Sequence, residues 1–244
     1  MIRRSRVLKA MRIDVVTLFP SMVNVPLSDS IVGRARGEGR LKLGFSNPRD
    51  FAEDRHGTVD DRPYGGGTGM VMMPEPVYKA LKKVKKRNSY VVVLTPKGRR
   101  FDQRLALDLA ARKHLVLICG HYEGLDERIN NFADLELSIG DYVLTGGEPA
   151  AVTVIDAVTR LLPGVLRKDD ATVNESFTDG LLEAPHYTRP AAWRRMKVPE
   201  VLLSGNHKLI SEWRRSAARS LTGKNRPDLP GAERGGREKP EKKG

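Results

Sequence analysis

Four short runs rich in β-branched and aliphatic residues stand out along the chain: RIDVVTLF (12–19), YVVVLT (90–95), HLVLIC (114–119) and DYVLT (141–145). Each is closed by Pro or Gly, so each reads as a buried strand. Between and after them apolar positions recur at helical spacing. Val77, Leu81 and Val84 mark one helix, Leu105 and Leu109 continued by Arg112 a second, and Val154, Ile155, Val158, Leu161 and Leu162 a third. Strands alternating with helices predict an α/β domain around a mostly parallel sheet.

The pattern changes twice. RKDDATVNESFTDG (167–180) is polar and aperiodic, which predicts a mobile linker. Residues 181–226 hold no good strand, and Val201, Leu202, Leu203, Ile210, Trp213 and Leu221 suit a small helical domain rich in Lys and Arg. The last stretch, 227–244, is Pro, Gly and charge and predicts a disordered tail. At the other end, residues 1–10 form a basic extension without the apolar stretch of a secretion signal, and Met11 directly precedes the first strand run. The main domain is therefore expected over 11–166.

Composition narrows the partners. Lys and Arg number 43 against 30 Asp and Glu, a net charge of +13 over 244 residues. More than half of the excess lies in the body of the chain rather than at its two ends. That balance favours nucleic acid first and an anionic membrane surface second. No apolar run is long enough to span a membrane, and a cytoplasmic protein is expected. The single cysteine, Cys119, rules out a disulfide framework or a cysteine zinc cluster and reads as a small core hydrophobe. The five histidines show no metal-ligand spacing and no GxSxG elbow occurs, so no metal site is expected and acyl transfer is disfavoured.

The candidate chemistry sits in glycine-marked segments. DDRPYGGGTGM (60–70) packs four glycines into five positions, but lacks the Gly-Lys-Ser/Thr of a phosphate loop and the preceding strand of a dinucleotide fingerprint. TPKGR (95–99) and CGHYEG (119–124) lie at the ends of strand runs, and SIGDYVLTGGEPA (138–150) ends another with Gly146 and Gly147, the positions where open α/β sheets bind ligands. Pro149 suits the first turn of a helix beginning near Glu148. Taken alone, each loop reads as an ordinary turn, Arg160 as a partner for Asp156 one helical turn earlier, and Glu175 as a surface carboxylate.

Together, NPRDF (47–51), HGTVDDRPYGGGTGMVM (56–72), CGHYEGLDERI (119–129), SIGDYVLTGGE (138–148), LLPGVL (161–166), ESFTDGLLEAPHYTRP (175–190) and VPEVLLSGNH (198–207) resemble the bacterial tRNA (guanine-N1)-methyltransferases, the TrmD family. The match runs from about Met11 to the low 220s. The resemblance implies a SPOUT-type α/β fold with a deep trefoil knot and a small α-helical C-terminal domain that grips tRNA. It also implies a homodimer with composite sites, S-adenosylmethionine as methyl donor and an assisting Mg²⁺. The reaction it implies is methylation of N1 of the guanosine immediately 3′ of the anticodon.

By the same resemblance the donor pocket comprises Leu94, Thr95 and Pro96; Gly120, Tyr122, Glu123 and Gly124; and Ser138, Ile139, Gly140, Asp141, Tyr142, Val143, Leu144, Gly146 and Gly147. Backbone groups of such loops can read an adenine edge, and Glu123 can offset a sulfonium charge. Guanine N1 carries a proton, so transfer needs a base and a group that stabilises charge developing toward O6. Glu175 and Arg160 match those two positions. The family's usual base is aspartate; here the ESF triplet carries glutamate, and Asn174 beside it cannot act as a base, which leaves Asp169, Asp170 and Asp179 as substitutes. Arg189, Arg194, Arg195, Lys208, Arg214 and Arg215 are expected to contact tRNA phosphates. Two other readings share some of these features: a knotted RNA 2′-O-ribose methyltransferase and an RNA-binding protein without catalysis.

Overall fold

The computed structural model describes residues 10–167, 172 and 175–231. It divides into two compact units, the first ending at Asp169 and the second beginning at Asp170. The first unit runs β1 (Met11–Val16), α1 (Pro20–Asn24), α2 (Ser30–Gly37), β2 (Leu41–Ser46), β3 (Asp60–Asp61), β4 (Val71–Met72), α3 (Pro74–Val84), β5 (Tyr90–Arg100), α4 (Gln103–Ala110), β6 (His114–Cys119), β7 (Leu135–Ser138) and α5 (Glu148–Thr159). Short 3-10 turns occupy Pro48–Phe51 and Glu127–Phe132.

Five strands form one sheet in the order β2-β1-β6-β5-β7, and each neighbouring pair is parallel. A parallel sheet must be covered on both faces, and the strands supply two apolar faces by alternation. Ile13, Val15, Val92, Leu94, Leu115, Leu117 and Leu137 pack with Val154, Ile155 and Val158 of α5 and Leu105 and Leu109 of α4. Val16, Val91, Val93, Val116 and Ile118 pack on the other side with Val77, Ala80, Leu81 and Val84 of α3. Cys119 is fully buried, as expected of a core hydrophobe.

Helix starts follow local chemistry. Asp102 accepts the Leu105 amide at 2.8 Å to cap α4, and α5 opens at Glu148 with a proline in its first turn. Two strand expectations change. DYVLT is not a strand: Tyr142, Val143 and Leu144 lie exposed in an irregular segment after Gly140, whose φ is +157°. The sheet instead takes the preceding LELS as β7, a run whose single glutamate weakened its apolar signal. β2, LKLGFS, is an edge strand with an exposed Lys42, and its glycine leaves room that a Cβ would deny to the Asp14 carboxylate. At the end of the second predicted helix, Arg112 lies beyond α4 and its guanidinium stands 4.3 Å from the Tyr90 ring.

The second unit holds a hairpin of β8 (Ala192–Trp193) and β9 (Met196–Lys197), then α6 (Glu200–Leu203) and α7 (His207–Asn225). The hairpin departs from the expectation of no strand here. Arg194 and Arg195 make its turn in the left-handed region, at φ +47° and +66°. Asn206 caps α7, accepting the Lys208 and Leu209 amides at 3.1 and 3.2 Å. Buried Thr222 accepts the Leu182 amide at 2.9 Å and donates to the Ala218 carbonyl at 2.6 Å. Residues 227–231, at the start of the expected tail, form turns, and the Gly231 amide donates to the Gly180 carbonyl at 3.1 Å. Residues 232–244, like most of 1–10, lie outside the described residues. No helix among the described residues is long and apolar enough to cross a membrane.

Candidate active site

The loops leaving the parallel strands β6 and β7 converge with the middle of β5 on one cavity of about 300 Å³. The expected loop TPKGR (95–99) lies within β5, where the pairing with β7 shifts register between Leu94 and Arg99. Leu94, Thr95 and Pro96 of β5 form one wall. Gly120, Tyr122, Glu123 and Gly124 follow β6, and Ser138, Ile139 and Gly140 follow β7. Tyr142, Val143, Leu144, Gly146 and Gly147 also line it, and of the donor-pocket residues expected from sequence only Asp141 is not part of the lining.

Backbone geometry explains the residue types. Tyr122 sits at φ +60° and Gly124 at φ +117°, so the β6 loop folds back sharply and its Gly124 amide donates to the His121 carbonyl at 3.0 Å. A side chain at Gly147 would put its Cβ 2.7 Å from the Cα of Cys119, so only glycine lets the start of α5 lie against the end of β6. The glycine-rich segment 65–69 forms the tip between β3 and β4 and packs on this loop: the Glu123 amide donates to the Met70 carbonyl at 2.9 Å. A Cβ at Gly69 would meet the Glu123 carboxylate at 2.5 Å.

Several lining residues carried no signal of their own in the sequence. Glu127 and Asn130 come from the 3-10 turn, which Asp126 caps by accepting the Arg128 amide at 3.0 Å. Hydrogen bonds from the Arg128 side chain hold the Asp126 carboxyl below its ordinary range. Glu136 comes from β7, and Lys97 from the extension of β5. Glu123, Glu127 and Glu136 face Lys97 as the one Lys or Arg of the lining, an acidic balance inside a strongly basic chain.

Beneath the cavity lies a polar group that sequence reading left unassigned. Glu148, fully buried in the first turn of α5, accepts from Thr17 Oγ1 at 2.5 Å and from His121 Nε2 at 2.6 Å. The Cys119 thiol beside it is pushed well above its ordinary value, first by burial and then by the Glu148 charge.

The two expected chemical groups fall in different units. Arg160 caps the carboxyl end of α5 in the first, its amide donating to the Asp156 carbonyl at 3.2 Å. Glu175, itself half-buried, opens a largely exposed turn in the second, its carbonyl accepting the Thr178 amide at 3.2 Å. Asp169, Asp170 and Asn174 lie outside the described residues. Arg189, Arg194, Arg195, Lys208, Arg214 and Arg215 are all exposed on the second unit. The segment leaving α5 is tied down by Arg34, which donates to the Val165 carbonyl at 2.9 Å, and by Arg40, which donates to the Pro163 carbonyl at 3.1 Å.

A parallel sheet flanked by helices, with glycine-marked loops after β6 and β7 lining one cavity beside β5, is the architecture of a SPOUT-type methyltransferase domain. The family model for tRNA (guanine-1)-methyltransferase TrmD matches residues 11–232, and the chain belongs to that family. Among curated relatives, a tRNA (guanine-N(1)-)-methyltransferase of Carboxydothermus hydrogenoformans is 53% identical over 220 residues, covering 90% of this chain and 87% of the relative. Proteins of the same name from Dictyoglomus turgidum and Caldanaerobacter subterraneus are 52% and 54% identical, covering 90% and 88% of this chain and 89% and 90% of the relatives. The chain is a methyltransferase, and the family's substrate is tRNA.

Proposed function

We propose that this protein methylates N1 of the guanosine immediately 3′ of the anticodon in tRNA, with S-adenosylmethionine as donor held in the cavity between β5 and the loops that follow β6 and β7. The observation that carries the reading is the convergence of the 120–124 and 138–147 loops with residues 94–96 of β5 on that one cavity. The donor fits its chemistry. Backbone amides and carbonyls exposed by glycines suit an adenine edge, and the three lining glutamates suit a cationic sulfonium. When bound, the donor supplies an electrophilic methyl group.

The chain's own residues supply the rest. Glu175 accepts the N1 proton, Arg160 donates to O6 as negative charge develops there, and the loops hold the two reactants in line. The exposed cations of the second unit hold tRNA phosphates. The reading extends to a homodimer, to the trefoil knot of its fold class and to a cytoplasmic location, where tRNA is found. Among the described residues no group of His, Cys, Asp and Glu is arranged to hold a metal ion, and no step is assigned to magnesium.

The test is methyl transfer from labelled S-adenosylmethionine to a tRNA transcript, with the product nucleoside identified by mass. Base methylation that disappears when the target guanosine is replaced by adenosine supports the reading, and Glu175→Gln should then lower kcat on the order of a hundredfold or more. Methylation of ribose, or indifference to the base, overturns it. Equal activity of Glu175→Gln moves the base to a neighbouring aspartate.

A further inference from the structure

Glu148 is a fully buried carboxylate outside the cavity lining, and burying a charge is costly unless donors meet it. Here the donors come from two strand ends. Thr17, just past β1, donates from its hydroxyl to Oε1, and that hydroxyl in turn accepts the Phe19 amide at 2.9 Å. His121, just past β6, meets Oε2 with Nε2. A carboxylate that only accepts assigns the proton to His121 Nε2. The His121 ring is further held by Phe19, edge to face at a centroid distance of 4.8 Å.

His121 also lines the cavity and pairs with Gly146 as an isolated antiparallel bridge. A Cβ at Gly146 would collide with the imidazole and lie 2.7 Å from Glu148 Oε2. The imidazole, the carboxylate and the Gly146–Gly147 turn are thus in mutual contact, and that turn is the back of the cavity.

The geometry points to His121 as a positioning residue for the methyl donor: by bonding Glu148 it clamps the Gly146–Gly147 turn to the end of β6 and holds the cavity wall in its binding shape. This inference rests on the cavity being the donor site. His121 takes no part in the proton transfer assigned to Glu175, so its loss should act on donor binding and leave the rate at saturation nearly unchanged. Glutamine, whose side-chain amide can place an N–H near the position of Nε2, should restore the clamp. Alanine cannot.

The experiment uses the full-length protein with tRNA saturating. His121→Ala should raise the KM and Kd for S-adenosylmethionine about tenfold, with kcat within about twofold of wild type, and His121→Gln should recover most of the affinity. Gly146→Ala should weaken donor binding by at least as much, and adding His121→Ala to it should cost less than the product of the two single effects, because removing the ring relieves the collision. Thermal melting of each variant separates loss of fold from loss of affinity. Should His121→Ala melt out, His121→Gln and Gly146→Ala still decide the matter by the same two constants. Unchanged donor affinity in folded His121→Ala, a fall in kcat without a change in KM, or a Gln variant as weak as Ala overturns the inference. Failure of the wild type to bind S-adenosylmethionine by calorimetry overturns the donor-site reading instead, and the two failures are read from different samples.

Discussion

Asp14 on β1 and His114 on β6 bond diagonally between neighbouring parallel strands, where His114 is in register with Arg12, and His114 Nε2 lies 2.7 Å from Asp14 Oδ2 with both side chains buried. Arg12 binds the same carboxylate with two nitrogens, at 2.5 and 2.7 Å. Ser89 Oγ accepts the Lys86 amide at 2.7 Å and stands 2.8 Å from His114 Nδ1. Both nitrogens of the imidazole therefore have a hydrogen-bond partner.

Removing the acceptor at the centre of that network strands a buried imidazole and a guanidinium. Asp14→Ala should lower unfolding free energy by about 3 kcal/mol, read from the urea midpoint at unchanged slope. A loss below about 1 kcal/mol would show that the network relaxes around the gap.

Gly147→Ala should cost about 1 to 3 kcal/mol, because its Cβ would press on the backbone of Cys119 and Gly120 rather than on a side chain that can turn away. Donor affinity should fall with it. Gly37→Ala is the matched control: no atom lies within 4 Å of the new Cβ at the end of α2, and stability should hold or rise. Equal stability of the two variants would remove the close-packing argument for Gly147.

Cys119 is buried and its thiol is raised, so above the ordinary thiol range of about 8.5 the unfolded chain loses a proton that the folded chain keeps. Stability should fall as pH climbs past that value and be unaffected by this group below it. Cys119→Ala should flatten this alkaline limb in melts from pH 7.5 to 10, and the native thiol should resist alkylation that the denatured chain undergoes. An alkaline limb identical in wild type and variant would assign it to other groups.

Arg194 and Arg195 project from a tight hairpin turn with exposed side chains. Replacing both by alanine should weaken tRNA binding and reduce the slope of log affinity against log salt by roughly 1 to 2, while leaving donor affinity unchanged. An unaltered slope would place the phosphate contacts elsewhere on the second unit.

How much of this was legible in the chain depends on what each feature owes to its neighbours. The buried strands β1, β5 and β6 declare themselves because a parallel strand covered on both faces must be apolar at nearly every position. The edge strand β2 and the short β7 do not, since an exposed Lys42, a glycine or a glutamate is tolerated where one face or one end is open. DYVLT misled for the converse reason: its composition is that of a strand, but Gly140 and the close approach at Gly147 turn it into a cavity wall.

The sequence by itself determined the alternation that requires a parallel sheet, the glycine-marked loops at the strand ends and the family to which the chain belongs. These are local or contiguous properties, carried by spacing and by ordered motifs. Only the tertiary structure decided that Thr17, His121 and Glu148, scattered along the first unit, share one buried carboxylate, and that Asp14 on β1 would bond His114 on β6. Such pairings follow from strand order and register. Those are set by the packing of the whole domain and leave no trace in the spacing of the residues they bring together.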